Sequence, residues 1–549
     1  MVYHADTIST RSCIAVRGRG FKTEANMSQF KLTYATMFDP PEQMHASYEA
    51  AIPGVRQCLG RSMGMLINNQ DHFCRDTFEN RSPINIDWVL ARLPQGAATD
   101  AGLAVAAAKH AFPKWNAVKW QDRVRIVRQV AEVIESRLYE LAAATTLNVG
   151  KNRLESLGDI QEAVDLLRAV CNSMEQNNGY KMKMGSEPIP GHVVHNFSVM
   201  RPYGVWLVIS PFNFPASLTC GPVGAALVSG NTVVTKPSVE TAWIVRLLSE
   251  CFRDAGVPDG VFNFVTGQNE PLGQALLDNT DIAGITFTGS YAVGMKIYRE
   301  NSRFRYPRPL VLEMGGKNAA IVSAKADIER AARGIVRSGF GAQGQKCSAP
   351  SRVYAERAIY DKLVERILEL TKSLVVGDPT ERTVYLGPVI RERSYSNFKD
   401  YCAQLSHAGK IVFGGHTVTT GALAKGYYCE PTVVVEVPRE HPLWRHEMFV
   451  PLIMFDRVDS LDEAFRLANC VDYGLAGGFF GTREEAETYF EQIEVGVAYV
   501  NRPQGASTGA WPGYQSFGGW KGSGCTGKGS GGPYYLLSYL REQSQTVVD

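Results

Sequence analysis

At 549 residues the chain is longer than one ordinary core can organise, so two or three domains are expected. A formal charge of +2 excludes nucleic-acid or membrane binding by bulk electrostatics, and no apolar run approaches the roughly 20 residues that cross a bilayer. The 11 cysteines are odd in number and scattered, with no CxxC pair, which predicts reduced thiols, no disulfide framework and no metal site. A cytoplasmic protein is expected.

Residues 1–26 carry Arg11, Arg17, Arg19 and Lys22 against only Asp6 and Glu24. They read either as an extension upstream of a start at Met27 or as a transit segment, which would direct the protein to the mitochondrial matrix. Residues 39–92 are irregular, a wrapping segment with one early helix over 41–51. Three packing helices are expected next, over 100–115 with Asp100 near its start, over 120–144, and over 153–177 with Ile160, Val164, Leu167 and Val170 at helical spacing.

After Met184 the period changes. Residues 193–200 and 204–209 read as strands, the second a short apolar run of the buried parallel type. Strand and helix then alternate through residue 301, with a short helix over 272–277. Such repetition predicts a doubly wound parallel sheet with ligands at the carboxyl ends of its strands. A second α/β series starts near Leu310 and includes helices over 360–373, 393–408, 461–468 and 484–493. The last residues, 534–549, are expected to form a strand that pairs with 193–200 or with another subunit.

The chemistry centres on residues 338–353, SGFGAQGQKCSAPSRV. Cys347 lies there among Gly339, Gly341 and Gly344, where backbone can approach a ligand, and beside Lys346, a cation that favours a thiolate. The bland alternative is a packed free cysteine, for which this segment is too polar. Glu313, in LEMGGK, precedes Cys347 by 34 residues; its apolar and glycine flanks predict the partial burial that raises a carboxyl pKa and makes a base. Glu447 lies in HEMFVP. Residues 286–294, TFTGSYAVG, read as strand, turn and helix start, so Gly289, Ser290 and Gly294 form a phosphate-binding candidate. The spacing G-x-x-x-x-G is weak alone, but Lys236, in TKPS, adds a cation at the same sheet edge, and together they favour a dinucleotide.

PFNFP, TKPS, FTGS, LEMGGK, GQKCS and EMFVP follow in that order, and the series resembles the signatures of the aldehyde dehydrogenase superfamily from about Asp100 to the C-terminus. Within it the chain is most similar to the 1-pyrroline-5-carboxylate (L-glutamate γ-semialdehyde) dehydrogenases, through GQKCSAPSR, IYREN and STGAWPGYQSFGG with the glycine-rich tail after it. The resemblance implies a Rossmann-like cofactor domain (27–180 and 202–315), an α/β catalytic domain (316–520) and a small β oligomerisation flap (181–201 and 521–549). It implies a Cys347 nucleophile, Asn213 as oxyanion donor and Glu313 as the base that activates water. It further implies cofactor contacts from Lys236, Ser238, Gly289, Ser290, Gly294, Glu447 and Phe449. The substrate's far-end carboxylate would be held by Ser348, Gly509 and Ala510, with its methylenes between Phe212 and Phe517.

The implied reaction is NAD(P)-dependent oxidation of the semialdehyde to L-glutamate in proline degradation, by a homo-oligomer, dimer or higher. Another carboxylated or aliphatic aldehyde is the alternative substrate, and a non-catalytic scaffold of this fold is a further reading. Three departures stand out. The loop over 501–510 is about three residues longer than the family pattern, Ser516 replaces proline before Phe517, and Val450 replaces a glycine. In addition, the acid that many NAD-using relatives carry three residues after the TKPS lysine is displaced from Val239 to Glu240, so NADP use alongside NAD is expected.

Overall fold

The computed structural model describes residues 30–549, and the 1–26 segment lies outside the described residues. Two seven-stranded sheets dominate. In the first, the buried apolar strand Val205–Ser210 pairs in parallel with Thr232–Pro237 on one side and Ile282–Thr288 on the other. Phe262–Phe264 and Leu310–Glu313 extend the parallel region, and Met65–Ile67 with Gln70–His72 closes one edge antiparallel. The expected alternation holds: Ser217–Ser229, Ala242–Asp254 and Tyr291–Asn301 are the intervening helices.

The second sheet runs Lys410–Phe413, Thr432–Val435, Leu452–Val458, Pro350–Glu356, Asn318–Val322, Ala476–Phe480 and Val497–Val500, all parallel except the first. Its two faces are covered by separate apolar clusters. The expectation that the second series opens near Leu310 is corrected: Leu310–Glu313 is the edge strand of the first sheet, with Thr288 opposite Glu313. Residues 310–318 therefore pass from one sheet to the other, and Glu313 stands at that passage.

The predicted helix over 120–144 is two helices, Trp120–Ser136 and Leu138–Val149. Arg137 breaks it at φ −106° and ψ 17°, and its guanidinium donates to Glu140 in the next helix at 2.6 Å. The wrapping segment is more regular than its sequence suggests. Its helix extends over Glu42–Gln57, and five short strands follow, two of which join the first sheet. Asp100 does cap the next helix, Ala98–Ala117: its carboxylate accepts the Ala97 N–H at 2.8 Å and holds His72 at 2.8 Å.

The C-terminal strand Leu540–Val548 pairs antiparallel with Val194–Pro202, Leu540 opposite Pro202 and Val548 opposite Val194. Lys181–Lys183 adds a third strand on the far side. Of the two expected pairings for the tail, this is the one within the chain. No helix among the described residues is long and apolar enough to cross a membrane.

Candidate active site

The loop bearing Cys347 follows the helix Ile328–Phe340, whose N-terminus is capped by Asp327 accepting the Arg330 N–H at 3.0 Å. After the helix, Ala342 and Gln343 take left-handed φ values of 47° and 56°. Each costs on the order of 1–3 kcal/mol in a residue other than glycine, so surrounding contacts must hold it. Glu155 does so, accepting the Ala342 N–H at 2.7 Å, while the Gln343 amide donates to the Gly150 carbonyl at 3.3 Å. The glycines of this loop serve close packing rather than ligand approach. A Cβ at Gly344 would lie 2.2 Å from the Val450 carbonyl oxygen, and one at Gly341 would meet Lys346 Nζ and Glu155 Oε1. Cys347 follows, pinned to the second sheet by Asn318, whose Nδ2 donates to the Cys347 carbonyl at 2.7 Å and the Ala349 carbonyl at 3.0 Å.

The expectation that Lys346 favours a thiolate is not met. Burial pushes the Cys347 thiol up to about 12, and the Glu447 and Glu313 carboxylates add to the rise. The N–H groups of Ser348 and of Cys347 itself act against it but do not prevail. Lys346 is itself buried, which lowers its ammonium, and the Glu155 carboxylate acts on it more strongly than the Cys347 sulfur does. The sulfur is therefore a thiol at neutral pH, and nucleophilic attack requires a neighbouring base.

Two buried carboxylates stand close enough to the thiol to act on it electrostatically. Glu313 ends its strand buried, at 9% exposure, as its flanks predict, and burial alone raises its carboxyl to about 8. Its Oε2 makes no hydrogen bond among the described residues, so the carboxylate can take up a proton once it is ionised. Glu447 is raised to about 7, chiefly by burial, against the opposing Gly316 N–H that its Oε1 accepts at 2.8 Å. The glycine pair after Glu313 follows from this contact, since a Cβ at Gly315 would fall 2.2 Å from the Glu447 carboxylate.

Cys347 opens into a cavity lined by Ser348, Gly509, Ala510 and Phe517. The structure thus brings four of the five substrate candidates together despite the long 501–510 loop. Phe212 is the exception. Its ring meets Phe449 edge-on at 5.8 Å and lies 5.0 Å from the Arg391 guanidinium, whereas Phe214 lines the cavity. The turn after Val205–Ser210 is irregular, so ring direction does not follow strand parity there. Asn213 is buried between them, at 4% exposure.

Phe214 is held by a buried ion pair. Lys151 donates to Asp159 at 2.9 Å and stands 4.1 Å over the Phe214 ring, while Asp159 accepts the Ser217 N–H at 2.9 Å. The 501–510 loop is similarly tied: the Tyr499 hydroxyl donates to the Gly509 carbonyl at 3.2 Å. Ser530 and Phe517 exchange backbone bonds at 2.7 and 2.9 Å.

Three further lining groups had no signal in the sequence. Tyr34 and Phe38 come from the segment before the first helix, and Glu162 comes from the helix Arg153–Gln176. Burial pushes the Glu162 carboxyl up to about 8, and the Tyr34 hydroxyl donates to it at 2.5 Å. Its place beside the apolar stripe at Ile160 and Val164 marks it only as a helix residue; the cavity contact depends on elements more than 100 residues away.

A second group of candidates lies along the carboxyl edge of the first sheet. Lys236 ends the strand Thr232–Pro237 at 3% exposure, and burial lowers its ammonium to about 8. Its one hydrogen bond among the described residues is long, 3.4 Å to the Pro237 carbonyl. Ser238 is next in the chain. Ser290 begins the helix Tyr291–Asn301 without a side-chain cap, leaving N–H groups free beside Gly289. Gly294 permits that helix to sit against Met314, whose sulfur a Cβ would approach to 2.4 Å. Phe449 takes a left-handed φ of 56°. A buried, poorly satisfied ammonium and an uncapped helix N-terminus at one sheet edge fit an anionic dinucleotide.

Comparison with known proteins agrees with this arrangement. The profile of the aldehyde dehydrogenase family matches residues 71–545. The 1-pyrroline-5-carboxylate dehydrogenase of Staphylococcus saprophyticus is 34% identical over 502 residues, 90% of this chain and 95% of that one. A Thermus 1-pyrroline-5-carboxylate dehydrogenase solved with bound NAD superposes with a TM-score of 0.88 at 32% identity, covering 96% of this chain and all of the other. An NADP-dependent enzyme of E. coli superposes at 0.82 with 28% identity, over 88% of this chain and 98% of its own. A family match across most of the chain, on a site with this thiol and these carboxylates, leads to one conclusion: the chain belongs to the aldehyde dehydrogenase family.

Proposed function

We propose that the chain oxidises L-glutamate γ-semialdehyde, the open form of 1-pyrroline-5-carboxylate, to L-glutamate with NAD, and that NADP is an alternative cofactor. The observation that carries this reading is one cavity holding the Cys347 thiol together with Ser348, Gly509, Ala510 and Glu162. The substrate carries an aldehyde at one end and an ammonium and a carboxylate at the other. Backbone N–H groups of Gly509 and Ala510 with the Ser348 hydroxyl suit the carboxylate, and Glu162 in its ionised form suits the ammonium. Phe214 and Phe517 offer apolar surface to the methylenes between. Names of the curated relatives support the same substrate.

In the reaction, Glu313 or Glu447 takes the Cys347 proton as the sulfur adds to the aldehyde carbon. The resulting thiohemiacetal oxygen is stabilised by the Asn213 amide and the Cys347 N–H, each such donor worth about 3 kcal/mol of barrier. A bound nicotinamide would supply the hydride acceptor, and the Cys347 adduct would then be left as a thioester. Lys236, Ser238, Gly289, Ser290, Gly294, Glu447 and Phe449 would hold that cofactor. The proton taken from Cys347 passes to solvent; Glu313 then removes a proton from water as the oxygen adds to the thioester carbonyl, and returns it to the Cys347 sulfur as that leaves and L-glutamate is released. Exposed apolar side chains on the three-stranded flap, among them Met182 at 66% and Val547 at 51%, support a homo-oligomer built through it. The bacterial source of the relatives supports a cytoplasmic location.

The test is Cys347→Ala. The variant is expected to lose reduction of NAD by the semialdehyde while keeping its NAD affinity. Substantial turnover in it would remove Cys347 as the nucleophile.

A further inference from the structure

The strand Thr232–Pro237 delivers Lys236, Ser238 and Glu240 to the carboxyl edge of the first sheet. The backbone there is held firmly: the Asn80 amide donates to the Val239 and Glu240 carbonyls at 2.9 Å each, and the Asn148 amide donates to the Glu240 carbonyl at 2.8 Å. The Glu240 carboxylate is thereby fixed at the second strand of the parallel series, where an acid meets the adenosine ribose in dinucleotide-binding sheets. Ser238 donates its hydroxyl to this carboxylate. So does Arg391, at 2.6 Å, from the segment that begins the helix Glu392–Ala408 of the second sheet's half.

The ion pair therefore crosses from one half of the protein to the other. The Arg391 side chain is 40% exposed and that of Glu240 is 19% exposed, so the pair can part without uncovering a deep core. The buried Arg391 Nε–H has no acceptor among the described residues, and Glu240 takes a bond from Nη1 alone. Its planar fork matches a phosphate better than a single carboxylate oxygen does.

We propose that Arg391 and Glu240 form an exchangeable ion pair that sets the choice between NAD and NADP. With NAD, the ribose 2′-hydroxyl is received beside Glu240 and Lys236, and the pair stays closed. With NADP, the 2′-phosphate takes the Arg391 guanidinium away from Glu240, whose carboxylate then opposes the phosphate at short range. NAD is favoured, and NADP is admitted because Arg391 can change partner. The inference rests on the reading of this edge as the adenosine-ribose site.

Dissociation constants for NAD and NADP, measured by calorimetry on the full chain and its variants, test both layers. Lys236→Met is expected to weaken both cofactors; unchanged binding of both would overturn the site reading itself. Given that weakening, Arg391→Gln is expected to weaken NADP by about tenfold or more and NAD by less than about threefold. Arg391→Lys, which keeps the charge, is expected to lie between. Glu240→Gln should move the other way, tightening NADP by about tenfold relative to NAD. Equal changes for the two cofactors in the Arg391 and Glu240 variants would overturn the switch while leaving the site in place.

Discussion

The Ser507 hydroxyl donates to the Ser348 carbonyl at 2.7 Å in a buried position. Through this bond the loop bearing Gly509 and Ala510 is fastened to the loop bearing Cys347, so the distance from the thiol to the proposed carboxylate grip is set before substrate arrives. Such fixed spacing selects for aldehyde chain length. Ser507→Ala is expected to raise KM for the semialdehyde by about tenfold, from a lost buried bond worth about 1 kcal/mol and some loop slack. An unsubstituted aliphatic aldehyde should show little change. Equal losses for both aldehydes would mean that the bond supports the Cys347 loop instead.

Because Glu313 keeps its proton up to about 8, its basic form grows as pH rises and is depleted below that value. Thioester hydrolysis should therefore climb with pH and level off above about 8. Glu313→Gln is expected to abolish that limb and to enlarge the pre-steady-state burst of reduced cofactor, since deacylation slows more than hydride transfer. Persistence of the same limb in the variant would assign it to another group, Glu447 first.

The neighbouring rings Phe212 and Phe214 give a clean contrast. Phe214→Ala should raise KM for the semialdehyde by about tenfold, roughly 1.4 kcal/mol of lost apolar contact. Phe212→Ala should leave that KM within about threefold, because its ring packs on Phe449 and Arg391. The reverse pattern would restore Phe212 as the substrate contact.

This pair also shows where sequence reading reaches its limit. The βα alternation, the Cys347 loop and the burial of Glu313 were legible, because each depends on local periodicity and on immediate flanks. Phe212 and Phe214 sit in an irregular turn, where neither period orients a side chain. Glu162 and Tyr34 meet across 128 positions of sequence, a contact that no local pattern encodes. The expected influence of Lys346 on the thiol failed for a similar reason: adjacency in sequence did not outweigh the desolvation and the two carboxylates that tertiary packing brought to Cys347. The break at Arg137 was hidden because apolar spacing continues smoothly through it.

Truncation before Gln543 removes most of the C-terminal strand and opens the edge of Val194–Pro202. Exposed strand edges are poorly tolerated in isolation. The full chain is expected to be at least a dimer by light scattering at micromolar concentration, and the truncated chain to shift toward monomer. A monodisperse monomer of the full chain would contradict the flap's role in assembly.

One cavity holds the Cys347 thiol together with Ser348, Gly509 and Ala510, the proposed grip on the substrate's far-end carboxylate. The most direct test of that grip is kcat/KM for L-glutamate γ-semialdehyde against an aldehyde of equal length lacking the carboxylate and ammonium, with NAD. A site whose buried donors go unpaired with the second compound should prefer the first by roughly 100-fold or more, about 3 kcal/mol. Near-equal values for the two aldehydes would contradict the assignment.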